Sequence, residues 1–273
     1  MNMSDVRLEN VRYQYPDGDL VLDGVTIEVH SGENIAIVGQ NGAGKSTTAK
    51  LMNGLLRPDS GDVLIGDKNT KDHTTAKISR IVGYVFQNPD DQIFHATVKE
   101  EVSYGPRSMK LEKSEVERRV KEALWLTGME KYQDENPMNL PLSLRRFVTI
   151  ASVVAMDTEV LIFDEPTAGQ DQKGNDRLRF IIETLHQQGK TLITISHDMD
   201  FVADHMDRVI VMANKKVVTT GSPKEIFWNL EALEEAHLKQ PYVSRVCKEL
   251  GIQGNVVTIK EAVDEIMKSH HIR

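Results

Sequence analysis

GQNGAGKST, residues 39–47, is the stretch from which the rest of the 273-residue chain is read. Gly39, Gly44, Lys45 and Ser46 have the spacing of a phosphate-binding loop. The apolar run Asn34–Val38 before it reads as a buried strand, and Thr47–Leu56 after it reads as the start of a helix. Strand, glycine-rich turn and helix in that order are the context such a loop needs. Glycines let backbone N–H groups wrap phosphate oxygens. The helix N-terminus adds the positive end of its dipole. Lys45 is placed to reach the β- and γ-phosphates, and Ser46 to offer a hydroxyl to Mg²⁺.

Three more apolar runs end in polar side chains. Glu159–Phe163 (EVLIF) reads as a fully buried strand, followed directly by Asp164 and Glu165. Asp164 is placed to hold Mg²⁺, directly or through water, and Glu165 to take a proton from water. Thr191–Ser196 (TLITIS) ends at His197, and Ile81–Phe86 (IVGYVF) ends at Gln87. In open α/β sheets, ligands bind outside the carboxyl ends of the strands. His197 is thereby a candidate γ-phosphate contact, against the plainer alternative of a satisfied core histidine. A lone glutamine at a strand end is commonplace. Its place between the phosphate loop and the acidic strand makes Gln87 a candidate to coordinate Mg²⁺ and orient water.

Around this centre the chain reads as α/β with additions. Val6–Tyr15 and Val21–Val29 form an antiparallel hairpin across the turn Tyr15-Pro16-Asp17-Gly18. Tyr15 is the candidate to stack on a base, with Tyr13 as the competing choice. Arg57–Gly61 breaks the chain before a short strand, Asp62–Ile65. From Asn88 to about Met138 the pattern turns helical. Thr97 is placed to cap Val98–Tyr104, and Ser114–Thr127 carries Val116, Val120, Ala123 and Leu124 on one face. Its Glu, Lys and Arg runs read most simply as a solvated face. From Arg145 an apolar helix follows, with Ser143 as its N-cap. Pro166–Asp171 reads as a turn, Gly174–Gln187 as a helix, and Arg208–Met212 with Lys216–Thr220 as a closing hairpin. Beyond Gly221-Ser222-Pro223 lie Pro223–Leu238, Tyr242–Leu250 and Ile259–Lys268, a helical appendage expected to pack on the core or on a second subunit.

Composition narrows the function classes. The chain is 40% hydrophobic and 27% charged, with a net charge of −8, so general affinity for a nucleic acid backbone is not expected. One cysteine, Cys247, excludes an intramolecular disulfide and a cysteine-rich metal site. No apolar run approaches the roughly 18 residues of a membrane span. The N-terminus MNMSDVRLEN lacks an apolar signal core. A cytoplasmic protein able to dock on a membrane partner is the expectation.

The order GQNGAGKST (39–47), Gln87, LIFDEPT (161–167) and TISHD (194–198) resembles the ATP-binding cassette family over almost the whole chain. VFQNPDDQIF (85–94), TVKEEVSYGP (97–106), the TAGQD turn ending at Asp171 and GSPKEIF (221–227) narrow the resemblance to the ATPase subunits of energy-coupling factor importers. The resemblance implies a P-loop NTPase core with an antiparallel β subdomain, a helical subdomain over about 88–156, and a domain limit near 220 with an appendage over 221–273. It implies ATP and Mg²⁺, a transmembrane scaffold, a substrate-binding membrane subunit for vitamins or transition-metal ions, and a second ATPase subunit contacted by the tail. The location implied is peripheral, at the cytoplasmic face of the cell membrane. Carried over by residue, Tyr15 stacks on adenine, and Gly39, Asn41, Gly42, Ala43, Gly44, Lys45, Ser46 and Thr47 cradle the phosphates. Gln87 and Asp164 handle Mg²⁺, Glu165 is the base, His197 contacts the γ-phosphate, and Asp171 touches the opposite subunit.

One departure stands out. The family's LSGGQ signature falls on Leu140-Pro141-Leu142-Ser143-Leu144, where both glycines are lost. Glycines there let backbone amides close on the γ-phosphate held by the opposing subunit. The chain is therefore expected to be a poor donor of signature contacts while keeping its own hydrolytic residues, which favours a heterodimer. The alternatives are a soluble cassette acting on ribosomes or DNA and a low-turnover regulatory subunit. The single P-loop, absence of a heptad run and negative charge oppose the first, and Glu165 with His197 opposes the second.

Overall fold

A computed structural model describes residues 5–16, 18–252 and 254–270. Asp17 of the first turn and the start of the N-terminal segment lie outside the described residues. Among the described residues, ten strands make two sheets. The first is antiparallel, in the order β2 (Leu20–Val29), β1 (Val6–Gln14), β4 (Ser60–Ile65), β5 (Lys68–Asn69). The second is β10 (Lys216–Gly221), β9 (Arg208–Ala213), β3 (Asn34–Val38), β8 (Thr191–Ile195), β7 (Val160–Asp164), β6 (Val82–Val85). Strands β9, β3, β8, β7 and β6 are parallel, and β10 closes the edge as an antiparallel hairpin with β9.

Strands buried on both faces read as unbroken apolar runs, yet their side chains still alternate. Ile35, Ile37, Val160, Ile162, Ile193 and Ile195 face the antiparallel sheet and the helix Lys45–Met52. Ala36, Val38, Leu161, Phe163 and Leu192 face the other helices. The six-stranded sheet thus divides two cores.

The second core holds the helical insertion. Thr97 caps the helix Val98–Ser108 with a reciprocal Thr97–Glu100 capping box, and the helix runs four residues beyond the expected end. Val116, Val120, Ala123 and Leu124 of the helix Lys113–Thr127 are all buried, as their spacing requires. The next helix corrects the sequence reading. It spans Leu142–Val154, with Pro141 in the N-cap position and no side-chain cap. Ser143 lies inside the first turn and is not the cap. Proline's fixed φ suits that extended position, and the Pro141 carbonyl takes the Leu144 and Arg145 N–H groups at 2.9 and 3.0 Å.

The helix after the phosphate loop begins at Lys45, earlier than expected, and ends at Met52 before the left-handed Gly54. The helix Gln172–Gln187 also starts earlier than expected, because Asp171 caps it by accepting the Gly174 N–H at 2.8 Å. Past Gly221, the expected single stretch to Leu238 is two helices, Pro223–Phe227 and Leu230–Glu235, separated where Asn229 caps the second. Ile226, Phe227, Leu233 and Ala236 join the main core. The helices Tyr242–Glu249 and Ile259–His270 meet over a separate small cluster of Cys247, Val256 and Ala262. Among the described residues no helix is long and apolar enough to cross a membrane.

Candidate nucleotide and catalytic site

The functional side chains gather at the carboxyl ends of β3, β6, β7 and β8, the end at which parallel sheets bind ligands. After β3, the phosphate loop turns back on itself. Gly39 has φ +152, and a Cβ there would sit 2.1 Å from the Met212 carbonyl oxygen of β9. Gly44 has φ +98, and a Cβ would come within 2.5 Å of Leu22 Cδ2. No other residue fits those two places without moving backbone or core. Lys45 Nζ donates to the Gly39 and Gln40 carbonyls at 2.8 and 3.0 Å. Burial lowers the Lys45 pKa, against the opposing pull of Glu165 and Asp164.

Asp164 is the last residue of β7 rather than the first beyond it, and it is buried. Ser46 Oγ donates to its Oδ1 at 3.2 Å, and Tyr84 OH donates to its Oδ2 at 2.7 Å. Burial, then the Asp164 charge, pushes the Tyr84 phenol far above its ordinary range, so it stays a donor. Ser46, Asp164 and the amide of Gln87 supply hard oxygen donors, the chemistry that suits Mg²⁺.

Glu165 is only 6% exposed and takes the left-handed conformation, with φ +50. Its N–H donates to Ile195 O at 2.9 Å, and its carbonyl accepts from Arg146 Nη1 at 2.8 Å and from Ala168 N–H at 3.3 Å. Its Oε2 accepts the His197 N–H at 3.2 Å. Its Oε1 is buried and has no hydrogen-bond donor among the described residues, although His197 Nε2 is 3.0 Å away. Burial pushes the carboxyl up to about 7, against the His197 N–H, Lys45 and Arg146. Burial and Lys45 hold the His197 imidazole below its ordinary value, so it is neutral near pH 7. A buried carboxylate that titrates near neutrality with one free lone-pair face is suited to proton abstraction.

A cleft of about 410 Å³ opens here. Its walls include Tyr15, Asn41, Gly42, Gly44, Lys45, Ser46, Thr47, Gln87, Glu165 and His197. Gly39, Ala43 and Asp164 are buried beneath it. Tyr15 OH lies 3.2 Å from Thr47 Oγ1, whereas Tyr13 is buried edge-to-face against Tyr15. That geometry favours Tyr15 over Tyr13 as the base-stacking side chain. Ser143 and Asp171 do not line the cleft.

Two contributors escaped the sequence reading. Tyr84 sits in a strand buried on both faces, where a phenol OH needs a partner. Arg146 sits in an apolar helix, where a charge is seldom buried without a reason. Both signals were present, but the partners are distant in sequence.

The ABC transporter profile matches residues 22–168. The chain belongs to the ABC transporter family. It is 42% identical to the energy-coupling factor transporter ATP-binding protein EcfA of Methanocaldococcus jannaschii, over 92% of this chain and 91% of that one. It is 39% identical to EcfA2 of Clostridium tetani, over 96% of each chain. Among solved structures, cbiO1 of Clostridium perfringens, described as part of the ABC transporter complex cbiONQ, superposes with a TM-score of 0.76. It is 36% identical, over 90% of this chain and 98% of that one. The cassette MJ0796, solved as a dimer bound to ADP and Pi, gives a TM-score of 0.73 at 26% identity, over 80% and 98%. This cassette is an ATP-binding, transport-coupled ATPase of the energy-coupling factor type.

Proposed function

We propose that this cassette powers an importer of vitamins or transition-metal ions as one half of an asymmetric ATPase pair. In this reading it sits peripherally at the cytoplasmic face of the membrane, against a transmembrane scaffold and a substrate-binding membrane subunit. The names of its relatives support that setting. ATP draws the two ATPase subunits together, and hydrolysis lets them part.

Hydrolysis rests on one observation, the convergence of Lys45, Glu165 and His197 on a single cleft. Tyr15 stacks on adenine, and the loop from Gly39 to Thr47 cradles the phosphates. Ser46, Gln87 and Asp164 would hold Mg²⁺, which supplies charge neutralisation on the phosphate oxygens. Glu165 Oε1 takes the proton of the attacking water, and neutral His197 donates to the γ-phosphate. Gln87, solvent-exposed just past β6, relays to the membrane partner.

The asymmetry rests on the start of the helix Leu142–Val154. Pro141 offers no N–H there, and the Leu142 side chain is 49% exposed where the family signature has a glycine. The opposing subunit's γ-phosphate would meet a leucine. Asp171 and the turn around Ser143 face the second subunit, with 1–220 as the nucleotide-binding unit and 221–273 as the contact region. Tyr242 and Val246 with the C-cap residue Leu250, and Ile259, Val263 and Met267, are exposed apolar residues at helical spacing along the two C-terminal helices, which suits such a contact.

Comparing the ATPase rate of the purified chain with that of the chain plus its co-purifying ATPase partner tests this reading. A low rate alone and a large rise with the partner are expected. Full, cooperative turnover by the chain alone would remove the asymmetry.

A further inference from the structure

Arg146 carries no role in the scheme above, yet it is the only arginine in the buried interior among the described residues, at 4% exposure. Among the described residues its Nε is buried with no acceptor. Among the described residues the guanidinium makes one hydrogen bond, from Nη1 to the main-chain carbonyl of Glu165, at 2.8 Å. A guanidinium held this way is expensive to bury, and the contact it makes is with the backbone of the residue that faces the reacting water.

That backbone needs holding. Glu165 has φ +50, a region that L side chains seldom occupy. It also precedes Pro166, whose ring biases the preceding residue toward extended conformations. Such a conformation persists only where surrounding contacts over-determine it. Besides the local Ala168 N–H on the carbonyl, the contacts come from three directions: Ile195 O on the N–H, His197 N–H on the carboxylate, and Arg146 on the carbonyl. The first two come from β8 and its end. The third alone comes from the helix Leu142–Val154.

We infer that Arg146 is a positioning residue for Glu165. It fixes the Glu165–Pro166 peptide and so aims the carboxylate, and it ties that aim to the helix that begins at the altered signature. The inference rests on the assignment of Glu165 as the base. A shift of that helix toward or away from β7 then changes turnover in the chain's own site without changing how its phosphate loop binds ATP.

The test uses the chain assembled with its partner, with Arg146→Met and Arg146→Lys variants, and Glu165→Gln as a control in the same assembly. Methionine removes a buried charge and keeps most of the volume, and the Glu165 carbonyl still has the Ala168 N–H. The expected result for Arg146→Met is an unchanged or raised unfolding temperature, ATP affinity within about twofold, and kcat reduced at least about tenfold. Lysine, which keeps a donor, recovers part of the loss. Wild-type kcat in a folded Arg146→Met chain overturns the inference, as does a parallel fall of affinity, stability and kcat. If the methionine chain does not fold, Arg146→Gln, too short to reach the Glu165 carbonyl, decides: reduced kcat with preserved affinity supports the inference, and wild-type kcat overturns it. Wild-type turnover in Glu165→Gln is a separate failure, that of the base assignment itself.

Discussion

His197 Nε2 lies 3.0 Å from Glu165 Oε1, yet that oxygen accepts no hydrogen bond from it, while the His197 main-chain N–H is bonded to Oε2. The backbone of one residue orients the carboxylate, and the side chain of the same residue stays available to a ligand. Glu165→Gln should therefore trap nucleotide and lower kcat by at least about 100-fold, the range of a lost general base. His197→Ala should lower kcat with a smaller effect on ATP affinity. Steady-state hydrolysis and nucleotide retention after gel filtration measure both.

The raised carboxyl of Glu165 also predicts a pH signature in the nucleotide-free chain with a chelator present. Its folded pKa, about 7, lies above the ordinary 4.5. The folded state favours the protonated form. The associated stability is full below about pH 4.5 and is lost as pH rises through 7. Glu165→Gln should match wild type near pH 4.5 and exceed it at pH 8.5, by on the order of 1–3 kcal/mol. Chemical denaturation at the two pH values measures the difference.

Tyr84→Phe keeps the ring that packs edge-to-face on Phe86 and deletes the donor to Asp164. A buried carboxylate oxygen is then left unpaired, at a cost of about 1–3 kcal/mol. The midpoint of urea unfolding should fall accordingly. An unchanged midpoint would show that Asp164 finds another donor.

Gly39→Ala should fail more severely than Gly42→Ala. Both have positive φ, but only Gly39 presses on the Met212 carbonyl, whereas a Cβ at Gly42 meets nothing within 4 Å. The alanine at 39 displaces the loop and abolishes ATP binding. At 42 the strain is local, about 1 kcal/mol. Fluorescent nucleotide titration separates the two.

Rewriting Pro141-Leu142-Ser143-Leu144 as Ser-Gly-Gly-Gln keeps the buried Leu140 and restores backbone amides at the helix start. If the signature is what limits the isolated chain, its ATPase rate should rise at least about tenfold. An unchanged rate would place the limit elsewhere, in pairing or in the membrane partner.

Most of the fold was legible because its elements follow local rules. Asn34–Val38 and Thr191–Ile195 are long enough apolar runs, and Thr97 carries its capping partner three residues on. The family resemblance ordered those pieces. The Ser143 cap misled because serine is the better cap by propensity, but Pro141 ends the extended segment first. Tyr84 and Arg146 were hidden for a different reason. Their partners lie 80 and 19 residues away, and neither spacing is a turn of any local structure.

The close approach of Gly39 to Met212 has a consequence for the far end of the chain. Met212 belongs to the hairpin that leads through Gly221 into the C-terminal helices. Main chain abuts main chain there, with no side chain between to cushion a shift. The strand that leads by way of β10 into the tail thus runs directly beside the start of the triphosphate cradle, and any side chain at residue 39 would push the two apart.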